Sequence, residues 1–165
     1  QFGDSFFLGP ISRSDWVNYI VQRFATRGMT ISEEMAGRLC DRVQLHSSYV
    51  QQLAWNVMIE TESDVTEETL ESGYELLLRQ TSALFMRQLE NLTVYQMNYL
   101  KALDAGVHTG FQSSNILEEY RLGSKSNITR IENILLNKEL IDKRVDGMYL
   151  ADPVFAYWFH KEYCL

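Results

Sequence analysis

Proline, cysteine and long apolar runs are scarce in this sequence. Only 2 prolines occur among 165 residues, so few positions are barred from helix interiors. The 2 cysteines, Cys40 and Cys164, lie far apart, which excludes a disulfide framework and fits a reducing compartment. No apolar run approaches the ~20 residues of a membrane-spanning helix, and no basic segment followed by an apolar stretch opens the chain as a signal peptide would. The composition therefore predicts a cytoplasmic globular protein with no membrane partner.

The net charge of −7 is unevenly distributed along the chain. Residues 1–92 carry 7 basic and 13 acidic side chains, whereas residues 93–165 carry 8 and 9. The first part should repel a phosphate backbone, and the second is nearly neutral. Because DNA-binding domains are usually basic, this balance argues against strong autonomous binding to DNA.

Apolar side chains recur at helical spacing through most of the sequence, which predicts a mostly α fold. Each run begins near a residue that can cap a helix, and the caps expected are Ser12 or Ser14, Ser32, Ser47 or Ser48, Thr66, Ser113 or Ser114, Ser126 and Asp152. The predicted helices cover residues 15–26, 33–43, 49–59, 67 to about 91, 93 to about 105, 116–120, 127–137 and 153–159. The pattern restarts at Thr93, so a domain limit is expected between Leu92 and Thr93.

The last third of the chain contains a hairpin signal. Two short β-prone runs, residues 140–145 and 148–150, flank Asp146-Gly147, a dipeptide that tolerates positive φ in a tight turn. Helices followed by such a hairpin and a final helix indicate a winged helix-turn-helix domain over residues 93–165. Such a domain either reads DNA or serves as a platform for protein contacts.

The beginning of the chain predicts an isolated strand. Residues 5–8 are β-prone and run into Gly9-Pro10, and one strand cannot be stable without partners. We therefore expect that this chain is the C-terminal part of a longer protein whose sheet holds that strand.

Three segments resemble one protein family. Residues 6–11 (Phe-Phe-Leu-Gly-Pro-Ile), Tyr49-Val50-Gln51-Gln52-Leu53-Ala54 and the run from Tyr149 to Trp158, with Asp152-Pro153-Val154-Phe155, resemble prokaryotic P-loop ATPases of the AAA+/STAND (archaeal) type. The resemblance covers nearly the whole chain. It implies that residues 1–92 hold the last strand of an ATPase core and a helical lid subdomain, and that residues 93–165 form the winged helix.

The resemblance also bears on nucleotide binding. The chain contains no G-x-x-x-x-G-K-[ST] loop, so we expect no ATP hydrolysis by this part alone and no catalytic residue in it. ATP and Mg²⁺ would belong to the N-terminal ATPase core, the implied partner. Relatives often carry Gly-His-Pro-Tyr-Tyr where this chain has Leu45-His46-Ser47-Ser48-Tyr49, so His46 and Tyr49 are implied to lie near the nucleotide. His46 as a solvated or capping histidine is the competing interpretation.

A second set of candidates lies on the helix before the hairpin and on the wing. If Ile128, Ile131 and Leu135 face the core, polar side chains that suit groove or partner contacts face outward, namely Lys125, Asn127, Thr129, Arg130, Asn133 and Asn137. On the wing, Lys143 and Arg144 could reach a DNA backbone. Nearby acids, Glu132, Glu139, Asp142 and Asp146, would repel phosphates within a Debye length of ~8 Å.

Two functions therefore stay open from the sequence. The first is a regulatory module in which lid and winged helix couple nucleotide state to binding of a protein partner. The second is a winged helix that binds double-stranded DNA. No spacing of Cys, His and Asp suggests a metal site, and the aromatic clusters Tyr95/Tyr99 and Phe155/Tyr157/Trp158/Phe159 are expected in the core.

Overall fold

The computed structural model describes residues 11–165, and this range is mostly helical. Its elements are eight helices and one antiparallel hairpin, in the order α1 (Arg13–Ala25), α2 (Glu33–Arg42), α3 (Ser47–Glu60), α4 (Glu67–Leu89), α5 (Val94–Asp104), α6 (Ser114–Glu119), α7 (Lys125–Asn137), β1 (Ile141–Arg144), β2 (Gly147–Leu150) and α8 (Pro153–Tyr163). The predicted fold class, mostly α with one small hairpin, is confirmed. The predicted strand over residues 5–8 lies outside the described residues.

The described residues divide into two compact units, the first ending at Arg79 and the second running from Gln80 to Leu165. The division falls inside α4 because the C-terminal part of this helix supplies Phe85 to the core of the second unit, where its ring lies 5.4 Å from that of Phe155. The domain limit expected between residues 92 and 93 comes after α4 ends, and it stays a prediction.

Three helices of the first unit begin at the hydroxyl caps that the sequence predicts. The side-chain oxygens of Ser12, Ser32 and Thr66 accept hydrogen bonds of 3.1–3.2 Å from the backbone N–H three residues on. Each bond satisfies one of the donors that a helix start leaves open. The core beneath these helices is apolar and contains Trp16, Ile20, Phe24, Leu39, Val43, Val50, Leu53 and Val57.

The start of α3 differs from the prediction. Its N-cap is His46, and Ser47 and Ser48 lie inside the helix rather than before it. Gln44 and Leu45 both take positive φ (49° and 60°), so the chain reverses just before the helix and the helical conformation begins early. His46 makes no side-chain capping bond.

Helices α3 and α4 approach closely at Gly73. A Cβ built on Gly73 would lie 2.6 Å from Cγ2 and 2.8 Å from N of Val57. The buried amide of Asn56 donates to the Gly73 carbonyl over 3.3 Å, which gives this contact a polar component. Glycine at this position therefore sets the distance between the two helices.

In the second unit, α5 starts with a capping box. Thr93 accepts from the backbone of Gln96 (3.3 Å), and the Gln96 side chain accepts from the backbone of Thr93 (2.9 Å). Helix α5 ends at Asp104 with Ala105 as its C-cap, and Gly106 follows at φ +87°, as expected for a C′ glycine. Helix α8 opens at Asp152, whose carboxylate accepts from two backbone N–H groups.

Helix α7 buries the three predicted residues, because Ile128, Ile131 and Leu135 are each at most 2% exposed. Its N-cap is Ser124, not Ser126 as predicted, so the helix begins two residues earlier, at Lys125. The hydroxyls of the two serines lie 3.0 Å apart.

Three apolar or aromatic side chains at helical spacing are exposed in the structure, and two of them, Tyr95 and Tyr157, were expected in the core. Leu84 is 54% exposed, because the buried stripe of α4 passes through its neighbour Phe85 and then Leu89, one turn later. Tyr95 is 47% exposed, and Tyr157 is 38% exposed, whereas Tyr99 and the other aromatic residues of α8 named above are buried. Adjacent helical residues point ~100° apart, so Leu84 beside Phe85 and Tyr157 beside Trp158 cannot face the core together with their neighbours.

The hairpin is present, with its turn one residue before the predicted position. Strands β1 and β2 pair with Ile141 opposite Leu150 and Arg144 opposite Gly147, so Val145 and Asp146 are the turn residues. Neither has positive φ, whereas Gly147 has φ +147°. The glycine serves as the residue after the turn, a position where type I turns favour it.

Candidate functional site

The outer face of α7 carries the polar side chains predicted for it. Lys125, Thr129, Arg130 and Asn133 are exposed. Asn127 is half-buried, and its amide donates to the Leu122 carbonyl over 3.5 Å, so its polar group is partly used within the domain. This face presents two cations and two neutral hydrogen-bonding groups to solvent.

The wing is less basic than its two cations suggest. Lys143 and Arg144 are exposed, but the guanidinium of Arg144 lies over the Tyr149 ring, 4.4 Å from its centre. The Tyr149 hydroxyl donates to Asp146 over 2.9 Å. Asp142 is exposed beside Lys143, so the wing carries two acids with its two bases. A phosphate backbone would find little net attraction there.

The wing is anchored by a residue outside it. The Met148 N–H donates to the His108 carbonyl over 2.9 Å, and Nδ1 of His108 lies 2.9 Å from the Met148 carbonyl. The rings of His108 and Tyr149 stack with centres 4.1 Å apart. His108 therefore extends the hairpin by one pair of hydrogen bonds. The sequence showed this histidine only as an isolated residue.

A cavity lies at the start of α7, and the exposed ring of Tyr95 forms part of its lining. Tyr95, Gly123, Ser126 and Arg130 line an open cavity of about 380 Å³ there. Because Tyr95 was expected in the core, the sequence did not associate it with the outer face of α7. The cavity adds an exposed aromatic ring to the cations and serines of α7.

His46 and Tyr49 lie next to each other at the start of α3. Their ring centres are 4.7 Å apart, and Nδ1 of His46 lies 3.0 Å from the Ser48 hydroxyl. His46 is exposed and Tyr49 is half-buried. The proximity to a nucleotide that the resemblance implies for these two residues stays a prediction.

Asp104 interacts with two residues near the C-terminus, and the sequence alone did not reveal either interaction. Nδ1 of His160, on α8, lies 2.8 Å from a carboxylate oxygen of Asp104 at the end of α5. Asp104 also interacts with the thiol of Cys164. Burial, and then the hydrogen bond to Asp104, raise the pKa of the Cys164 thiol to about 11. A thiol held protonated at neutral pH is a poor nucleophile and a poor metal ligand.

Residues 11–165 contain neither a cluster of metal ligands nor a membrane-spanning helix. Within this range, no three His, Cys, Asp or Glu side chains come together as a metal site would require. No helix of the described part combines the length and the apolar character needed to cross a bilayer.

Comparison with known proteins agrees with the geometry of the second unit. Residues 83–161 match a family model described as "Probable winged helix domain". The second unit has a winged-helix fold. Helix α7 is the helix that precedes the wing, and β1 and β2 form the wing. A search of curated proteins found no match.

The fold is similar to a larger protein of known structure. A Walker-type ATPase of Pyrococcus abyssi matches with a TM-score of 0.72 and 15% sequence identity. The match covers 92% of this chain and 42% of that chain, so this chain spans about two fifths of the ATPase's length. At this identity the likeness establishes the fold alone.

Proposed function

We propose that this chain is the regulatory and interaction module of a P-loop ATPase. In this proposal the first unit is a helical lid and the second unit is a winged helix that binds a protein partner. The observation that supports it is that 92% of this chain is similar in fold to part of a Walker-type ATPase. Residues 83–161 of this chain also match a winged-helix model. Nucleotide state would move the lid against an N-terminal core and so reposition the winged helix.

ATP and Mg²⁺ belong to that core in the proposal. A P-loop holds phosphates through backbone N–H groups while its Lys and Ser/Thr serve the terminal phosphate and Mg²⁺, and this sequence has no such loop. His46 and Tyr49 are the residues we propose to approach the nucleotide from the lid. The module itself then performs no catalysis.

Protein contact is favoured over DNA contact by the charges around α7. Four acids accompany the cations of α7 and the wing, and Arg144 is already stacked on Tyr149. A duplex-binding surface gains most of its affinity from unpaired cations that neutralise phosphates. A platform for protein contacts has no such requirement, and an exposed Tyr95 beside α7 suits it.

The test compares this chain with the complete polypeptide that contains it. Calorimetric titration with ATP and Mg²⁺ should show binding by the complete polypeptide and none by residues 1–165 alone. Hydrogen exchange in α7 should then differ between the ATP-bound and ADP-bound states. Tight ATP binding by residues 1–165, or exchange in α7 that ignores the nucleotide, would contradict the proposal.

A DNA titration distinguishes the alternative. Binding of a duplex to residues 1–165 at low salt should be negligible and should be the same for Arg130→Ala and for Lys101→Ala, an exposed cation on α5. Salt-dependent binding that is lost with Arg130→Ala and kept with Lys101→Ala would instead assign the α7 face, including Lys125, Asn127 and Asn133, to DNA.

A further inference from the structure

The first unit carries an open groove between α1 and α3 that none of the predicted site residues lines. Its volume is about 190 Å³. Two rings stand at its edges, Tyr19 of α1 at 46% exposure and Trp55 of α3 at 51%. The groove is floored by apolar side chains and edged by two arginines, and its lining includes Ile20, Phe24, Ala54, Met58, Arg23 and Arg27.

The two arginines of the groove differ from others in this unit. Arg13, Arg38 and Arg42 pair with carboxylates at 2.6–3.0 Å. Arg23 and Arg27 have no carboxylate partner among residues 11–165. Their guanidinium carbons lie instead 5.9 Å and 5.5 Å from the centres of the Tyr19 and Trp55 rings.

This arrangement leaves the hydrogen-bonding edges of both arginines unused by acids. A guanidinium lying over an aromatic ring is attracted through its face, while its N–H donors stay in its own plane. A carboxylate can bind two of those donors at once. Arg23 and Arg27 are one helical turn apart on α1, so they offer two such positions along the groove.

The groove therefore matches a segment that combines acidic and apolar side chains. We propose that it binds a short acidic peptide segment of a partner protein. Carboxylates of the segment pair with Arg23 and Arg27, and an aromatic or aliphatic side chain enters between Tyr19 and Trp55. This goes beyond the function proposed above, because it requires neither nucleotide nor the winged helix.

Charge favours a peptide over a nucleic acid as the occupant. Residues 1–79 carry 6 basic and 12 acidic side chains. The phosphates of a nucleic acid would extend beyond the two arginines and be repelled by the acidic side chains of this unit. A short peptide can keep its carboxylates within a Debye length of ~8 Å of Arg23 and Arg27. Local pairing then outweighs the repulsion from more distant acids.

The test uses NMR titration of residues 1–165 with a peptide of alternating Glu and Phe. The indole N–H signal of Trp55 should shift, while that of Trp158, buried in the second unit, should not. Arg23→Gln/Arg27→Gln should weaken binding about tenfold or more, since two charge-assisted contacts are lost. The matched control, Arg87→Gln/Lys138→Gln, removes the same charge from exposed sites outside the groove and should bind normally.

Several results would overturn the proposal. One is an absent or equal response of Trp55 and Trp158 at millimolar peptide. Another is equal weakening by both double variants, which would mean that only net charge matters. A peptide of alternating Lys and Phe that binds equally well, or single-stranded oligothymidylate that binds better, would also exclude an acidic peptide as the occupant. Unchanged circular dichroism of the variants verifies that the fold is kept.

Discussion

The hydroxyl of Tyr99 donates a hydrogen bond of 2.8 Å to Oε1 of Glu132. Tyr99 lies on α5 and is fully buried, and Glu132 lies on α7, so the bond ties the helix before the wing to the domain core. Burial, and then the contact with Glu132, raise the pKa of Tyr99 above its ordinary value. Glu132 therefore has a structural partner and is not simply an acid that repels DNA.

Removing Glu132 should destabilise the winged helix more than removing the tyrosine hydroxyl. Glu132→Ala leaves a buried O–H without an acceptor and should lower the free energy of unfolding by about 1–3 kcal/mol. Tyr99→Phe should cost less, because half-buried Glu132 can still reach water. Urea unfolding measures both. The double variant should be more stable than the sum of the single losses predicts; strict additivity would mean that the bond contributes nothing.

Gly147→Ala should weaken the attachment of the wing. The new Cβ would overlap the His108 carbonyl oxygen, which also accepts the hydrogen bond from Met148. Strain from φ +147° adds to this clash, so a loss of roughly 2 kcal/mol or more is expected. Gly106→Ala is the control, since it has positive φ but open space around it and should cost only about 1 kcal/mol. Thermal melts that give equal losses would show that His108 does not anchor the wing.

Gly73→Ala should destabilise the first unit even though alanine is the better helix former. The added methyl would overlap the backbone of Val57, so α3 and α4 must separate, at a cost of about 1–3 kcal/mol. Gly37→Ala is a matched change inside α2, where the atoms nearest the new Cβ belong to the flexible end of Arg13, whose exposed pair with Asp41 can shift at little cost. Gly37→Ala should be neutral or stabilising by up to ~1 kcal/mol in denaturant unfolding. A stabilising Gly73→Ala would refute the close approach.

Cys40 should make stability depend on pH only in alkaline solution. Burial, and then the charge of Asp41, raise the pKa of this thiol from 9.0 to about 11. The protonated thiol is favoured in the folded state, so its contribution, on the order of 2 kcal/mol, is full below pH 9 and is lost as the pH rises towards 11. Unfolding of Cys40→Ala between pH 8 and 11 should show a smaller loss of stability than the parent chain.

The same thiol should resist modification. In Cys164→Ser, where Cys40 is the remaining cysteine, an aromatic disulfide reagent at pH 8 should react slowly in buffer and fast in urea, because Cys40 is fully buried. Fast reaction of the native variant would mean that α2 opens readily.

Local chemistry explains which features could be predicted from the sequence. Ser12, Ser32, Thr66 and Asp152 cap helices where expected, because a cap depends on a few neighbouring backbone groups. The buried stripe of α7 follows directly from helical spacing. The turn of the hairpin was placed one residue late, because Asp-Gly marks a turn without deciding which of its positions the glycine takes.

Contacts between distant residues could not be predicted in this way. The pairing of Tyr99 with Glu132, of His108 with Met148 and of Asp104 with His160 joins positions 33 to 56 apart in the chain. Periodicity gives the face on which a side chain lies but not the element opposite it. For the same reason the groove of Tyr19, Arg23, Arg27 and Trp55 could not be recognised before α1 and α3 were placed side by side.

The order of elements, their caps and their buried faces were encoded locally, since propensity and hydrophobic period act over one or two helical turns. Tertiary packing alone decided which charged side chains have partners within the protein and which are left to interact with solvent. It gave Glu132 a buried partner and placed Arg144 on a ring, and among the described residues it left Arg23 and Arg27 without acidic partners. Burial and proximity, which arise only when separate elements meet, set the interaction of each charge with its surroundings.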